Sequence, residues 1–226
     1  MTSANAPALT LALPKGRTLK PVAKLLAAAG VTGLVEAEPS TLADALDESR
    51  RALVRRGMLG PHLLHMLLLK PDDVPTYVEY GTADIGVCGR DVLVERDIDV
   101  YHPLDLGLGR CRLVVAGRVG ANLETTGRMP RIATKYPRLA ARHYASQGVQ
   151  VEIVNVQSSV ELAPLTGLAD VIVDLVETGT TLRENGLEVK EHILDVSTLL
   201  VANRASYKLR AEPVSMLVNA LRAIVT

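Results

Sequence analysis

Residues 170–186 read Asp-Val-Ile-Val-Asp-Leu-Val-Glu-Thr-Gly-Thr-Thr-Leu-Arg-Glu-Asn-Gly, and no other stretch restricts the fold as tightly. Val171, Ile172, Val173, Leu175 and Val176 form a short apolar run rich in β-branched residues, the pattern of a buried strand. The run passes into Glu177-Thr178-Gly179-Thr180-Thr181 and then a short helix. Thr181 and Glu184 have capping-box spacing, and Asn185-Gly186 is a stop signal.

The turn offers several backbone N–H groups, three hydroxyls and a helix N-terminus in one place, which are the parts of a phosphate cradle. Gly179 matters because a backbone approaches an anion closely only where no Cβ intrudes. The carboxylates of Asp174 and Glu177 would repel a bare phosphate. They make sense holding ribose hydroxyls, or a metal ion that also touches a diphosphate. A sugar with a 5′-phosphate and a diphosphate therefore suits the stretch better than a nucleoside triphosphate alone. The same residues also serve a plain strand with a capped turn, and spacing alone does not choose between the two.

The rest of the chain repeats the strand–turn–helix order. Leu9–Leu13 is a strand that runs into Pro14-Lys15-Gly16-Arg17-Thr18 and a helix from Leu19 to Ala29. That is the opening unit of an open α/β sheet, where ligands gather at strand C-terminal ends, so Lys15 and Arg17 point toward the crevice. Strands are expected at His62–Leu69, Ala83–Gly89, Arg110–Gly117, Arg131–Thr134 and Val149–Val156, and as one piece at Leu194–Asn203. Helices are expected after Asp73, at Arg90–Glu95, at Leu139–Gln147, after a capping box at Ser158–Glu161, and from Tyr207 to Ile224 despite Pro213. Tyr101–Gly109 reads as irregular. The alternation up to Glu95 argues a mainly parallel sheet, and the two strand–turn–helix series suggest two α/β lobes. Lobe I is expected over 1–106 and 194–226, and lobe II over 107–193, with a cleft between them.

Composition narrows the function classes. The chain has 226 residues, 48% hydrophobic, with no Phe and no Trp, so Leu, Val, Ile and Ala must fill the core. Aromatic platforms for stacking single-stranded nucleic acid are poorly supplied. With 25 basic and 25 acidic residues, net charge gives no reason to expect nucleic acid or a membrane as a partner. Cys88 and Cys111 lack zinc-ligand spacing. No secretion signal or transmembrane-length run is evident, which points to the cytoplasm. The two histidines at His62 and His65 have no third ligand nearby, so a metal reading is declined.

Six ordered blocks together resemble ATP phosphoribosyltransferase, the first enzyme of histidine biosynthesis: Ala12–Arg17, Asp73–Gly86, Leu104–Gly107, Arg131–Tyr136, Val160–Asp170 and Asp174–Leu182. The length resembles the short form of that family, which works with a separate subunit similar to histidyl-tRNA synthetase. The resemblance implies a two-lobed, type II periplasmic-binding-protein-like α/β fold with its active site in the interlobe cleft. It implies a homodimer of catalytic chains and a reaction joining ATP to phosphoribosyl diphosphate with Mg2+ carried mainly by substrate.

On the resemblance, Asp174, Glu177, Thr178, Gly179, Thr180 and Thr181 bind phosphoribosyl diphosphate. Lys15, Gly16, Cys111 and Glu161 are ATP-binding positions. Arg17 and Arg50 are catalytic, with Arg51 the neighbour that could be confused with Arg50. Lys135 is a second candidate phosphate contact. The rivals are a non-catalytic two-lobed binding protein, a type I phosphoribosyltransferase and a ligand-sensing domain. The type I class usually has two adjacent acids on its strand end, whereas Asp174 and Glu177 are separated by Leu175 and Val176. No helix-turn-helix segment precedes the first strand, which argues against the sensor.

Overall fold

The computed structural model describes residues 8–33, 53–121 and 128–225. In chain order these form β1 (Leu9–Pro14), α1 (Leu19–Ala28), β2 (Val31–Gly33), β3 (Val54–Leu59), β4 (His62–Leu69), a 3-10 turn at Pro71–Asp73 and α2 (Val74–Glu79). Next come β5 (Ile85–Gly89), α3 (Arg90–Arg96), β6 (Tyr101–Asp105), β7 (Cys111–Arg118), β8 (Arg131–Thr134), α4 (Pro137–Ser146) and β9 (Glu152–Asn155). The chain continues through α5 (Leu162–Thr166), β10 (Val171–Val176), α6 (Thr180–Glu184), β11 (Leu187–Val196) and β12 (Thr198–Ala202), then α7 (Arg204–Leu209) and α8 (Ala211–Val225). Two compact units result. The first takes residues up to Leu93, Asp97–Gly109 and everything from Ser197; the second takes Val94–Arg96 and Arg110–Val196.

The first unit is built on a sheet of order β2-β3-β4-β1-β5-β12-β6. β1 lies parallel to β4 and β5, while β12 runs antiparallel between β5 and β6. The sheet is therefore mixed and not mainly parallel. Only Gly60 and Pro61 separate β3 from β4, and so short a link joins antiparallel strands. Leu9, Leu11 and Leu13 of β1 alternate onto one face with Leu64, Met66 and Leu68 of β4, under α1 and α8. Ala12, Cys88 and Val201 point to the other face, under Val74 and Val78 of α2. With no Phe or Trp, leucine does most of this burial, at about 1.5–3 kcal/mol for each fully buried side chain.

Three boundaries differ from expectation. Tyr101–Asp105 is a strand, because Leu104 and Asp105 register against Leu200 and Leu199 of β12. Pro103 is tolerated there because β6 is an edge strand of the sheet. The expected strand at Leu194–Asn203 breaks at Ser197 into the end of β11 and the whole of β12, which belong to different units. The expected closing helix is two helices meeting at Arg210, whose backbone leaves the helical region at φ −117°, ψ 40°. Pro213 falls in the first turn of α8, where its missing N–H costs no intrahelical bond.

The Arg210 side chain ties this junction to the first strand. Its guanidinium donates to Asp84 Oδ2 at 2.8 Å and to the Ala8 carbonyl at 2.7 Å. Asp84 is 5% exposed and also accepts from Thr10 N–H and the Ser206 hydroxyl. Asn203 caps α7 through Ala205 N–H and Ser206 N–H, and its amide donates to the Val78 and Glu79 carbonyls that end α2.

The second unit has the order β11-β7-β10-β8-β9, with β10, β8 and β9 mutually parallel and β7 antiparallel to both its neighbours. β10 is central, and its residues fill both faces: Ile172 and Val176 on one, Val171 and Val173 on the other. No helix among the described residues is long and apolar enough to cross a membrane.

Candidate active site

One end of the second sheet collects most of the residues singled out in the sequence. β10 delivers Glu177–Thr181 at its C-terminal end. β8, parallel to it, delivers Lys135 at the same end, since Val173 registers with Thr134. β7 is antiparallel and starts there, with Arg112 opposite Val176, so Cys111 heads it. Glu161 follows β9 as the N-cap of α5, and its charge acts on Asp174. Strand C-terminal ends are where open α/β sheets gather ligands.

Gly179 sits in the left-handed region at φ 75°, ψ 7° and caps the N-terminus of α6. A Cβ is strained there, which is the backbone reason for glycine. The Thr178 and Thr180 hydroxyl oxygens are 3.1 Å apart, and Thr180 N–H donates to Thr178 Oγ1 at 3.4 Å. Neither expected capping box forms. The N-cap of α6 is Gly179 and that of α5 is Glu161, both without a side-chain cap, and Ser159 adopts φ 49°. α6 is only five residues long, so its dipole supplies little of the charge an anion needs.

Asp174 stands part-buried at the end of β10. Burial pushes its carboxyl above the usual 3.8, the Leu175 N–H and Lys135 pull it back in part, and Glu161 pushes it further up. Ionised Asp174 is thus penalised in the fold, and a partner that donates hydrogen bonds to it, such as a sugar hydroxyl, relieves that penalty. A carboxyl raised in the fold favours folding below its unfolded value, and the gain is lost as pH rises through the raised value. At neutral pH the charge therefore costs stability. Asp174→Asn keeps an acceptor for Leu175 N–H and loses the charge. It is expected to raise the thermal midpoint at pH 7, with the gain over wild type shrinking as pH falls toward 4. A midpoint lowered equally at both pH values in thermal denaturation would contradict this.

In the first unit, Lys15, Gly16 and Arg17 occupy the β1–α1 turn. Lys15 N–H donates to the Leu69 carbonyl at 2.8 Å, which continues the β1–β4 pairing by one residue. Gly16 has φ 87°, and no described atom lies within 4 Å of where its Cβ would stand. The backbone is therefore open to a ligand, with Arg17 exposed beside it. Arg50 and Arg51 lie outside the described residues.

The sequence reading passed over one residue of the turn. Arg183 donates from Nη1 to the Thr178 carbonyl at 3.2 Å and from Nη2 to Thr180 Oγ1 at 3.1 Å. The available signal was its place four residues after Gly179, since helical side chains lean back toward the N-terminus.

The two sheets have known counterparts. SsuA, the periplasmic aliphatic sulphonate binding protein of Escherichia coli, matches with a TM-score of 0.55 over 96% of this chain and 72% of that one, at 11% identity. That likeness is one of fold alone. What adds an activity to that fold is the family match, which makes the class that of a phosphoribosyltransferase. Residues 70–223 match the family model described as HisG: ATP phosphoribosyltransferase. An ATP phosphoribosyltransferase of Sorangium cellulosum (strain So ce56) is 55% identical over 215 residues, 95% of either chain. The ATP phosphoribosyl transferase (HisG:HisZ) complex from Thermotoga maritima matches with a TM-score of 0.81 at 35% identity, over 96% of this chain and 98% of that one. The chain belongs to the ATP phosphoribosyltransferase family, the enzymes of the first step of histidine biosynthesis, and to its short form.

Proposed function

We propose that the chain transfers the phosphoribosyl group of phosphoribosyl diphosphate to N1 of the ATP adenine, releasing pyrophosphate, with the roles divided as follows. Thr178, Gly179, Thr180 and Thr181 hold the ribose 5′-phosphate, and Asp174 and Glu177 take the ribose hydroxyls. Lys15, Gly16, Cys111 and Glu161 contact ATP. Arg17 and Arg50 stabilise charge on the departing diphosphate. The observation that carries this reading is the left-handed Gly179 between two hydroxyl-bearing residues at the end of β10, with a penalised carboxylate on the same strand at Asp174.

Adenine N1 has a free lone pair, so no general base is needed. The difficulty is charge, because two polyanions must meet while more negative charge gathers on the leaving group. Preorganised cations and aligned reactants supply the rate. Arginine suits the task because it forks onto phosphate and stays ionised. Magnesium, when bound, would supply further neutralisation of the diphosphate, and Asp174 or Glu177 would be the residues to offer it a hard oxygen.

Arg17→Ala and Arg50→Ala are each expected to lower kcat by about 100-fold, with a much smaller rise in the KM for ATP. Equal losses in both would mean simple substrate holding and not stabilisation of the departing group. We further propose a HisZ-type regulatory subunit, similar to histidyl-tRNA synthetase, as a partner, a homodimer of catalytic chains, and a cytoplasmic location. The deciding experiment measures pyrophosphate release from ATP, phosphoribosyl diphosphate and magnesium, with and without that subunit. Binding of both substrates with no release in either case would place the chain among non-catalytic binders of the same fold.

A further inference from the structure

We propose that Arg183 is the positioning residue of the phosphate turn, a fork that fixes its shape and, through Thr180, aims the Thr178 hydroxyl proton at the ligand. This rests on the reading of Thr178–Thr181 as the cradle for the ribose 5′-phosphate. The guanidinium bridges Gly179, with one nitrogen on the Thr178 carbonyl at 3.2 Å and the other on Thr180 Oγ1 at 3.1 Å. It lies on one face of the glycine, where a Cβ would stand 3.3 Å from Nη1. The two bonds tie the residues on either side of the left-handed turn to one rigid plane.

The second bond also sets the direction of the hydroxyls. Thr180 Oγ1 accepts from Arg183, so its own proton is free to donate, and Thr178 Oγ1 lies 3.1 Å away. Thr178 Oγ1 in turn accepts the Thr180 N–H, so its proton is left to point outward. Donors arranged head to tail from a cation polarise one another toward an anion. The charge itself is uncompensated: among the described residues no carboxylate pairs with Arg183. α6 is too short to provide that charge as a dipole. Lysine cannot take over, because a single ammonium does not span both acceptors in one plane.

The test uses R183K and R183Q in the full chain with its regulatory subunit, with G179V alongside. Both Arg183 variants are expected to raise the KM for phosphoribosyl diphosphate by about 10- to 100-fold and to weaken ribose 5-phosphate as a competitor equally. The KM for ATP and the thermal midpoint are expected to stay at wild type, a split that a merely structural role would not produce. Full recovery in R183K would show that charge suffices and overturn the fork. An unchanged KM in R183Q would overturn it too. In that case, loss of ribose 5-phosphate binding in G179V leaves the cradle standing without Arg183, whereas normal binding in G179V removes the cradle as well. A rise in both KM values together with a lower midpoint would reduce Arg183 to general support and overturn the proposal.

Discussion

Gly179→Val is expected to abolish detectable binding of phosphoribosyl diphosphate while both sheets stay folded. Gly179 has φ 75°, where a β-branched residue is strained by about 1–3 kcal/mol. The turn escapes that strain by moving φ to negative values, which swings Thr178 and Thr180 apart. The new side chain also meets the Arg183 guanidinium, which is 3.3 Å from the Cβ position. A displacement of about 1 Å costs on the order of 100-fold where alignment matters, and here donor and charge move together. Stability should suffer little, because the turn is exposed on both sides of Gly179. At about 2–4 °C per kcal/mol for a chain of this size, the midpoint falls by a few degrees. Calorimetry with phosphoribosyl diphosphate decides the matter, and normal binding heat would dismiss the cradle assignment.

The second large effect is on folding. Asp84→Ala removes the shared acceptor of Thr10 N–H, Ser206 Oγ and the Arg210 guanidinium. It leaves a part-buried N–H and a cation without its carboxylate beside β1. Breaking a buried ion pair costs about 3–5 kcal/mol, and the 31% exposure of the Arg210 side chain puts this case near the lower end. That predicts a fall of roughly 6–12 °C in thermal midpoint. Replacing both partners, as Asp84→Leu with Arg210→Met, is expected to recover part of the loss, because no orphaned charge remains. A single-variant midpoint within a degree of wild type would show that water takes over the network at no cost.

The contrast between these two sites explains what was legible in the sequence. Gly179 and its threonines are neighbours, and a strand followed by a glycine turn is a local pattern. The same holds for β1 and the Lys15–Arg17 turn, and for the family, whose blocks are short and ordered. Asp84 and Arg210 are 126 positions apart, so nothing local announces their pairing. Residues 187–193 went unread as a strand for a different reason. β11 shifts register between Val189 and Glu191 and again between His192 and Leu194, and each bulge breaks the period-two alternation. The missed capping boxes show the limit of spacing arguments. Thr181 and Glu184 have the right separation, yet the N-cap is Gly179, two residues earlier, and the helix starts at Thr180. Arg183 was overlooked because its role depends on which way a side chain folds back, which composition does not reveal.

The place of β12 in the first sheet also orders events during synthesis. β6 touches that sheet only through β12, and Asp84 waits for Ser206 and Arg210. β12, Ser206 and Arg210 all emerge from the ribosome after residues 110–196 have been made. The second unit therefore has everything it needs to close while the first still lacks a strand and a counter-ion. A nascent chain stalled near Val196 would present an unpaired β5 edge and an unmet carboxylate, the natural handhold for a chaperone or a protease.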